Sequence, residues 1–142
     1  MNTNRVELLK ELCELPGPSG QEHLVRNRII KEIKPFCTEV REDPLGNLIS
    51  YAGPKSGYTL GILAHMDEVG FVVSSITDKG LISFEMLGSI DDRLMLGREV
   101  DIMTNSCTLE RGIVGNKSQH LQSASDIQVT VNHKELFIDV GA

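Results

Sequence analysis

The sequence predicts an α/β piece followed directly by an all-β module. Three observations point there. Two amphipathic helical periods precede Pro35, a continuous apolar run spans Tyr58 to His65, and after Val69 short period-two segments alternate with Gly, Asp, Asn and Ser. Helical stripes beside a buried strand make a helix-on-sheet layer. Short strands at regular spacing make a small barrel or sandwich. The boundary falls near residue 68, with no low-complexity linker and no internal repeat, so the two pieces join directly as an inserted domain would.

The first helix begins at Asn4, with Glu7 three residues on as a start signal. Val6, Leu9 and Cys13 share a face beside Leu8, Leu12 and Leu15. Pro16-Gly17-Pro18 must end it, because proline has no N–H for the helical ladder. Ser19-Gly20-Gln21-Glu22 reads as a capping box, in which the Ser19 hydroxyl accepts the Glu22 N–H and the Glu22 carboxylate reaches back. Val25, Ile29 and Ile33, widened by Ile30, form the apolar stripe of a second helix that Pro35 ends.

The period then changes to two. Thr38 to Glu42 and Leu48 to Ala52 read as strands around the turn Asp43-Pro44-Leu45-Gly46-Asn47. After the turn Gly53 to Gly57, the run Tyr58 to His65 is apolar throughout, as in a central strand covered on both faces. Beyond Val69, strands are expected at Phe71–Ile76, Leu81–Met86, Glu99–Met103, Leu109–Val114, Ile127–Val131 and Leu136–Val140.

Composition bounds the function classes. The 142 residues are 40% hydrophobic and 24% charged, as in a globular protein. Aromatics make up 4%, so the core must come from Leu, Ile and Val. A formal net charge of -6 without a Lys/Arg run disfavours a nucleic-acid partner. Cys13, Cys37 and Cys107 are odd in number and widely spaced, which suits reduced thiols in the cytoplasm and neither a disulfide framework nor a zinc knuckle. No apolar h-region follows Met1, and no apolar run reaches the length of a membrane span, so neither a signal peptide nor a membrane partner is expected.

Chemistry concentrates in Leu63-Ala64-His65-Met66-Asp67-Glu68-Val69-Gly70. His65 and Asp67 are two apart at what reads as a strand end, so their side chains point to one side. Polar groups at the end of a central strand are where α/β folds build sites. Imidazole suits zinc or cobalt, and a carboxylate beside it can fix its tautomer and raise its basicity. The pair by itself is equally compatible with a purely structural His–Asp hydrogen bond.

At this point the chain resembles a known family: the glutamyl, or deblocking, aminopeptidases that assemble into tetrahedral dodecamers and are sometimes labelled endoglucanases. The resembling segments run in order. Leu15 to Glu22 is similar to their early loop, Asp43 to Leu48 to their G-N turn, and Ala64 to Phe71 to their first metal motif. Leu87 to Asp91, Leu96 to Val100 and Gly112 to Gly115, with Lys117 and His120-Leu121, resemble signatures of their inserted β domain, and Phe137 to Ala142 the stretch that closes it. The resemblance implies an α/β fold, the N-terminal part of an α/β/α zinc-peptidase domain (residues 1–68), with an inserted all-β barrel-like domain (residues 69–142). It implies two divalent metal ions per complete site, zinc or cobalt, which bind the substrate's amino terminus and scissile carbonyl and activate a water. His65 carries over as a metal ligand, and Asp67 as the catalytic-site residue that orients it.

The remaining residues of such a site do not carry over. The family's bridging Asp, its Glu-Glu pair, a further carboxylate and a second His follow the inserted domain, whereas this sequence ends at Ala142 and contains no Glu-Glu dipeptide. A metallopeptidase needs several ligands and a carboxylate base, so the chain alone is expected to be a truncated, inactive aminopeptidase. Asp91-Asp92-Arg93 resembles a bridging D-D-R, but the Leu94 to Val100 context fits a turn of the inserted domain, and a bridging role for Asp91 or Asp92 stays open. His120 reads as a loop-shaping residue, His23 as part of a helix start, His133 as part of a turn, Glu68 as local structure and Cys13 as core. The expected partners are a peptide substrate and either further copies of the chain or a partner carrying the missing catalytic half, which would cover the apolar strand. A non-catalytic interaction module is the alternative. A carbohydrate hydrolase is weaker still, for want of a placed carboxylate pair and aromatic platforms.

Overall fold

The computed structural model describes residues 5–54, 56–117 and 131–141. The expectations for Asn4, for His120 and for most of the strand Ile127–Val131 lie outside them. The chain divides into two compact units, Met1–Glu68 and Val69–Ala142.

The first unit holds two helices and a hairpin. Helix α1 spans Arg5–Glu14 and helix α2 spans His23–Ile33. Helix α2 ends where Lys34–Phe36 tightens into a 3-10 turn around Pro35, since the proline ring cannot continue the helical hydrogen bonds. Strands β1 (Glu39–Glu42) and β2 (Leu48–Tyr51) pair antiparallel. The turn between them is held by Asp43, whose carboxylate accepts the Leu45 and Asn47 N–H groups at 2.9 Å each and the Asn47 side-chain amide at 2.9 Å. These donors, the Asn47 amide first, hold the Asp43 pKa below its ordinary value. Arg26 of α2 reaches the same hairpin, donating to the Gly46 carbonyl at 3.2 Å and pairing with Glu42 at 3.0 Å. Arg28 links the helices by pairing with Glu11 at 2.6 Å and Glu32 at 3.0 Å.

Two expectations fail in this unit. The run Tyr58 to His65 belongs to no helix or strand. Leu60, Ile62 and Leu63 are 85%, 89% and 93% exposed. A strand exists only through ladder partners, and the sole ladder of this unit among the described residues is β1–β2. Apolar composition therefore registered a segment suited to burial, without the neighbours that would make it a strand. Cys13 is likewise exposed rather than core, because α1 has no buried residue.

The second unit is an antiparallel sheet of five strands: β3 (Gly70–Ile76), β4 (Ile82–Leu87), β5 (Glu99–Met103), β6 (Leu109–Gly115) and β7 (Phe137–Asp139). Their order is β3-β4-β7-β6-β5. Hairpins join β3 to β4 and β5 to β6, and β7 enters between them, pairing with both β4 and β6. Alternation on β4 turns Ile82 and Phe84 inward, where they pack with Met95, Val114, Leu136 and Ile138 in one buried cluster. Each such side chain contributes roughly 1.5–3 kcal/mol by leaving water. Phe71 of β3 stacks on Phe84, with centroids 4.5 Å apart and planes tilted by 50°.

The Gly112-Ile113-Val114-Gly115 segment has a packing reason. A Cβ on Gly112 would lie 2.5 Å from Ile138 Cγ2 and 3.2 Å from the Asp139 carbonyl, so only glycine lets β7 approach β6 this closely. Before β5, the Gly97 N–H donates to the Val114 carbonyl at 2.8 Å and the Val114 N–H to the Arg98 carbonyl at 2.9 Å. These bonds seat Met95 in the core.

Candidate active-site segment

His65, Met66, Asp67 and Glu68 lie outside helices and named strands, held by the loop that follows α1. That loop, Leu15 to Glu22, cannot be helical because of Pro16 and Pro18. Its backbone meets the segment in a parallel bridge between Pro18 and Glu68. The Gly17 N–H donates to Glu68 Oε1 at 2.9 Å, and the Glu68 N–H donates to the Gly17 carbonyl at 2.9 Å. Glycine is required at this seam: a Cβ on Gly17 would lie 2.7 Å from Val25 Cγ2 and 3.8 Å from the Met66 carbonyl. A small apolar cleft opens here, lined by Leu12, Leu15, Val25 and Met66 with Asp67 at its side.

His65 and Asp67 are brought together, though not by a strand. His65 Nδ1 lies 2.9 Å from Asp67 Oδ1 and 3.0 Å from the Asp67 carbonyl oxygen. Both oxygens can only accept, since a carboxylate this well supplied with donors is ionised, so Nδ1 carries the proton and, in the neutral ring, Nε2 carries the lone pair. The His65 side chain is 84% exposed and Asp67 37%. The second carboxylate oxygen, Oδ2, accepts a hydrogen bond from the Ser19 hydroxyl. Ser19 first and then His65 hold the Asp67 carboxyl below its usual range.

The capping box is thereby corrected. Helix α2 starts after Glu22 with no side-chain cap. Ser19 is not the acceptor of the Glu22 N–H; its hydroxyl donates to Asp67, across 48 positions of sequence. The Glu22 carboxylate takes the Gly20 N–H at 2.7 Å. A charge-assisted bond to a distant carboxylate won over a neutral bond from the local Glu22 N–H, and charge-assisted hydrogen bonds are about twice as strong. No local pattern could reveal this, because S-x-x-E satisfies the capping motif on its own terms. Glu68 is also more than local structure, since its carboxylate anchors Gly17.

The other carboxylates singled out by sequence have protein partners of their own. Asp91 caps a 3-10 turn, Asp92–Leu94, by accepting the Arg93 N–H at 3.0 Å, and it pairs with the Arg93 guanidinium at 2.5 Å. That guanidinium, with the Arg93 N–H, holds the Asp91 carboxyl down at about 2. Asp92 accepts the His133 N–H at 3.0 Å, with His133 Nδ1 3.4 Å away. His133 itself begins a 3-10 turn capped by Asn132. All three cysteines are free.

A divalent ion fits this segment at one position only. His65 Nε2 has a lone pair, exposure and no hydrogen-bond partner among the described residues. No group of three or more His, Cys, Asp and Glu side chains capable of holding a metal ion occurs among those residues. An ion held by protein needs about three such ligands, so His65 can be one donor of a set and not the set.

The M42 glutamyl aminopeptidase family model matches residues 46–142, which include the His65–Asp67 pair and the whole five-stranded sheet. This chain belongs to the M42 glutamyl aminopeptidase family. M42 enzymes are generally metal-dependent, which agrees with a histidine whose free nitrogen faces outward. FrvX of Escherichia coli K12, itself provisionally an aminopeptidase, is 34% identical over 96% of this chain and 38% of its own length. The solved TET aminopeptidase of a marine-sediment Thaumarchaeota archaeon superposes with a TM-score of 0.91 at 34% identity, over 96% of this chain and 38% of that one. The TET1 peptidase of Pyrococcus horikoshii, which can assemble into a tetrahedron or a large octahedral shell, superposes with a TM-score of 0.84 at 38% identity, over 98% and 41%. The mixed helix-and-strand architecture is thus that of the TET aminopeptidases. The chain spans about 38% of the length of the M42 relatives it matches.

Proposed function

We propose that this chain is a portion of a metal-dependent aminopeptidase that removes N-terminal residues from peptides, and that it is inactive by itself. The observation that carries the reading is the orientation of His65 within a family-matched segment. Its Nδ1 proton is held by Asp67, and the Nε2 lone pair is presented outward. In this reading His65 is one ligand of a zinc or cobalt ion, and Asp67 fixes its tautomer and raises its donor strength. When bound, such an ion supplies Lewis acidity toward the peptide carbonyl and lowers the pKa of a water. The chain's own residues present and orient one nitrogen. Further ligands and the proton-accepting carboxylate come from other segments of a longer protein.

Residues 1–68 belong in this reading to the peptidase domain, and residues 69–142 to an inserted β-barrel-like domain. The cytoplasm is the compartment in which three free thiols are ordinary. Among the described residues no helix is long and apolar enough to cross a membrane. Assembly with further copies of the chain, or with a partner that completes the site, is supported by the shells that the Pyrococcus horikoshii relative forms.

A second reading, a non-catalytic interaction module, draws on the exposed run Tyr58 to Leu63. A carbohydrate hydrolase has little support, since Asp67, Glu68, Asp91 and Asp92 each already serve protein partners. Aminoacyl p-nitroanilides with zinc or cobalt titrated in test the reading. The 142-residue chain is expected to give no turnover. Metal-dependent turnover by this chain, lost on His65→Ala, would mean that its own residues complete the site.

A further inference from the structure

Ser19 lies in the Pro-Gly-Pro loop, far in sequence from the histidine, yet its hydroxyl contacts the carboxylate that the histidine contacts. The geometry divides Asp67 between two donors. Oδ1 receives His65 Nδ1–H at 2.9 Å and Oδ2 receives the Ser19 hydroxyl. A carboxylate bound through one oxygen can rotate about its terminal torsion, which is broad and weakly restrained. Bound through both oxygens, it cannot. This restraint matters because His65 is largely exposed and, among the described residues, only the Asp67 carboxylate and the Asp67 carbonyl oxygen, 3.0 Å from Nδ1, hold its ring.

The chain on either side of Ser19 is fixed by hydrogen bonds. The Gln21 N–H donates to the Pro18 carbonyl at 2.8 Å, and the Gly20 N–H donates to Glu22 Oε1 at 2.7 Å. Two residues upstream, Gly17 exchanges hydrogen bonds with Glu68, one through each residue's N–H. The loop therefore grips the segment at adjacent points: Gly17 on Glu68 and Ser19 on Asp67. The first grip sets the position of the backbone. The second sets the orientation of a side chain.

We propose that Ser19 is a positioning residue: its hydroxyl locks the Asp67 carboxylate so that the His65 ring stays in the Nδ1–H tautomer and offers its lone pair at Nε2. The inference rests on the reading of His65 as a metal ligand for its purpose, but the tautomer claim stands on geometry alone. Ser19 touches neither the ion nor the substrate in this account; it acts through Asp67. A Ser19 that only tied loop to segment would hold the backbone in place without dictating which ring nitrogen carries the proton.

The test reads the His65 ring nitrogens by long-range proton–nitrogen NMR on the metal-free chain, at about pH 8, above the ordinary imidazole pKa. The wild-type ring is expected in the Nδ1–H form. Ser19→Ala should raise the Nε2–H fraction by about threefold or more, as a weakened charge-assisted contact allows. Ser19→Thr, which keeps the hydroxyl, should restore the wild-type ring. Ser19→Cys, similar in size and a weaker donor, should shift the ring in the same direction by less, and it supplies the reading if the alanine variant does not fold. A wild-type ring in folded Ser19→Ala or in Ser19→Cys overturns the proposal, as does a threonine variant that behaves like alanine. Because no metal or peptide is present, this result is independent of the peptidase assay, and either can fail without the other.

Discussion

Gly17 shows what the site demands of a single residue. Its missing side chain lets the loop lie against Val25 and Met66 while its N–H reaches Glu68. Gly17→Ala must push the loop off α2 or bend the chain. We expect a loss of about 1–3 kcal/mol in the stability of the first unit, in line with overpacking, read from its denaturant midpoint while the five-stranded sheet is followed separately. An unchanged midpoint would contradict the close approach. At this scale the sequence was informative about types and poor about partners. His65 and Asp67 stood out through the family resemblance of Ala64 to Phe71, the two-residue pattern being weak by itself, and the structure brings them within 2.9 Å. Ser19 was misassigned because its true acceptor lies 48 positions away and a plausible local donor, the Glu22 N–H, lay three positions on. Glu68 was undervalued for the same reason, its partner Gly17 being 51 positions distant.

Among the elements, the strands of the second unit were the most legible. Glu99–Met103 was expected with the bounds observed, and β3, β4, β6 and β7 were expected to within a residue at either end. Period-two alternation, with one face against Phe84, Val114 and Ile138, leaves a plain trace in sequence. What the pattern does not encode is order: β7 lies between β4 and β6 although it follows both in the chain. The run Tyr58 to His65 is the opposite case, since its composition indicates burial and its surroundings provide none. Such an exposed apolar surface invites association with another chain. The chain is therefore expected to self-associate at micromolar concentration in light scattering. Replacing Leu60 and Ile62 by serine should reduce the associated fraction severalfold. A monodisperse monomer in the wild type would remove this surface from the account.

For the whole molecule, the family fixes the architecture and leaves the chemistry of this chain to be proved. The fold is that of the TET aminopeptidases at a TM-score of 0.91, while the chain spans 38% of that relative's length. One oriented imidazole, in no group of three or more candidate ligands among the described residues, cannot hold an ion by itself. The measurement that tests this most directly is kcat/KM for an aminoacyl p-nitroanilide with cobalt or zinc, using the chain extended by the remaining length its M42 relatives possess, as wild type and as His65→Ala. We expect metal-dependent turnover in the extended wild type and a loss of at least about a hundredfold in the variant, since even residues that only support a metal ligand cost 10–100-fold when removed. An extended His65→Ala enzyme as active as the wild type would show that His65 holds no ion, and the account of this segment as part of a metal site would be wrong.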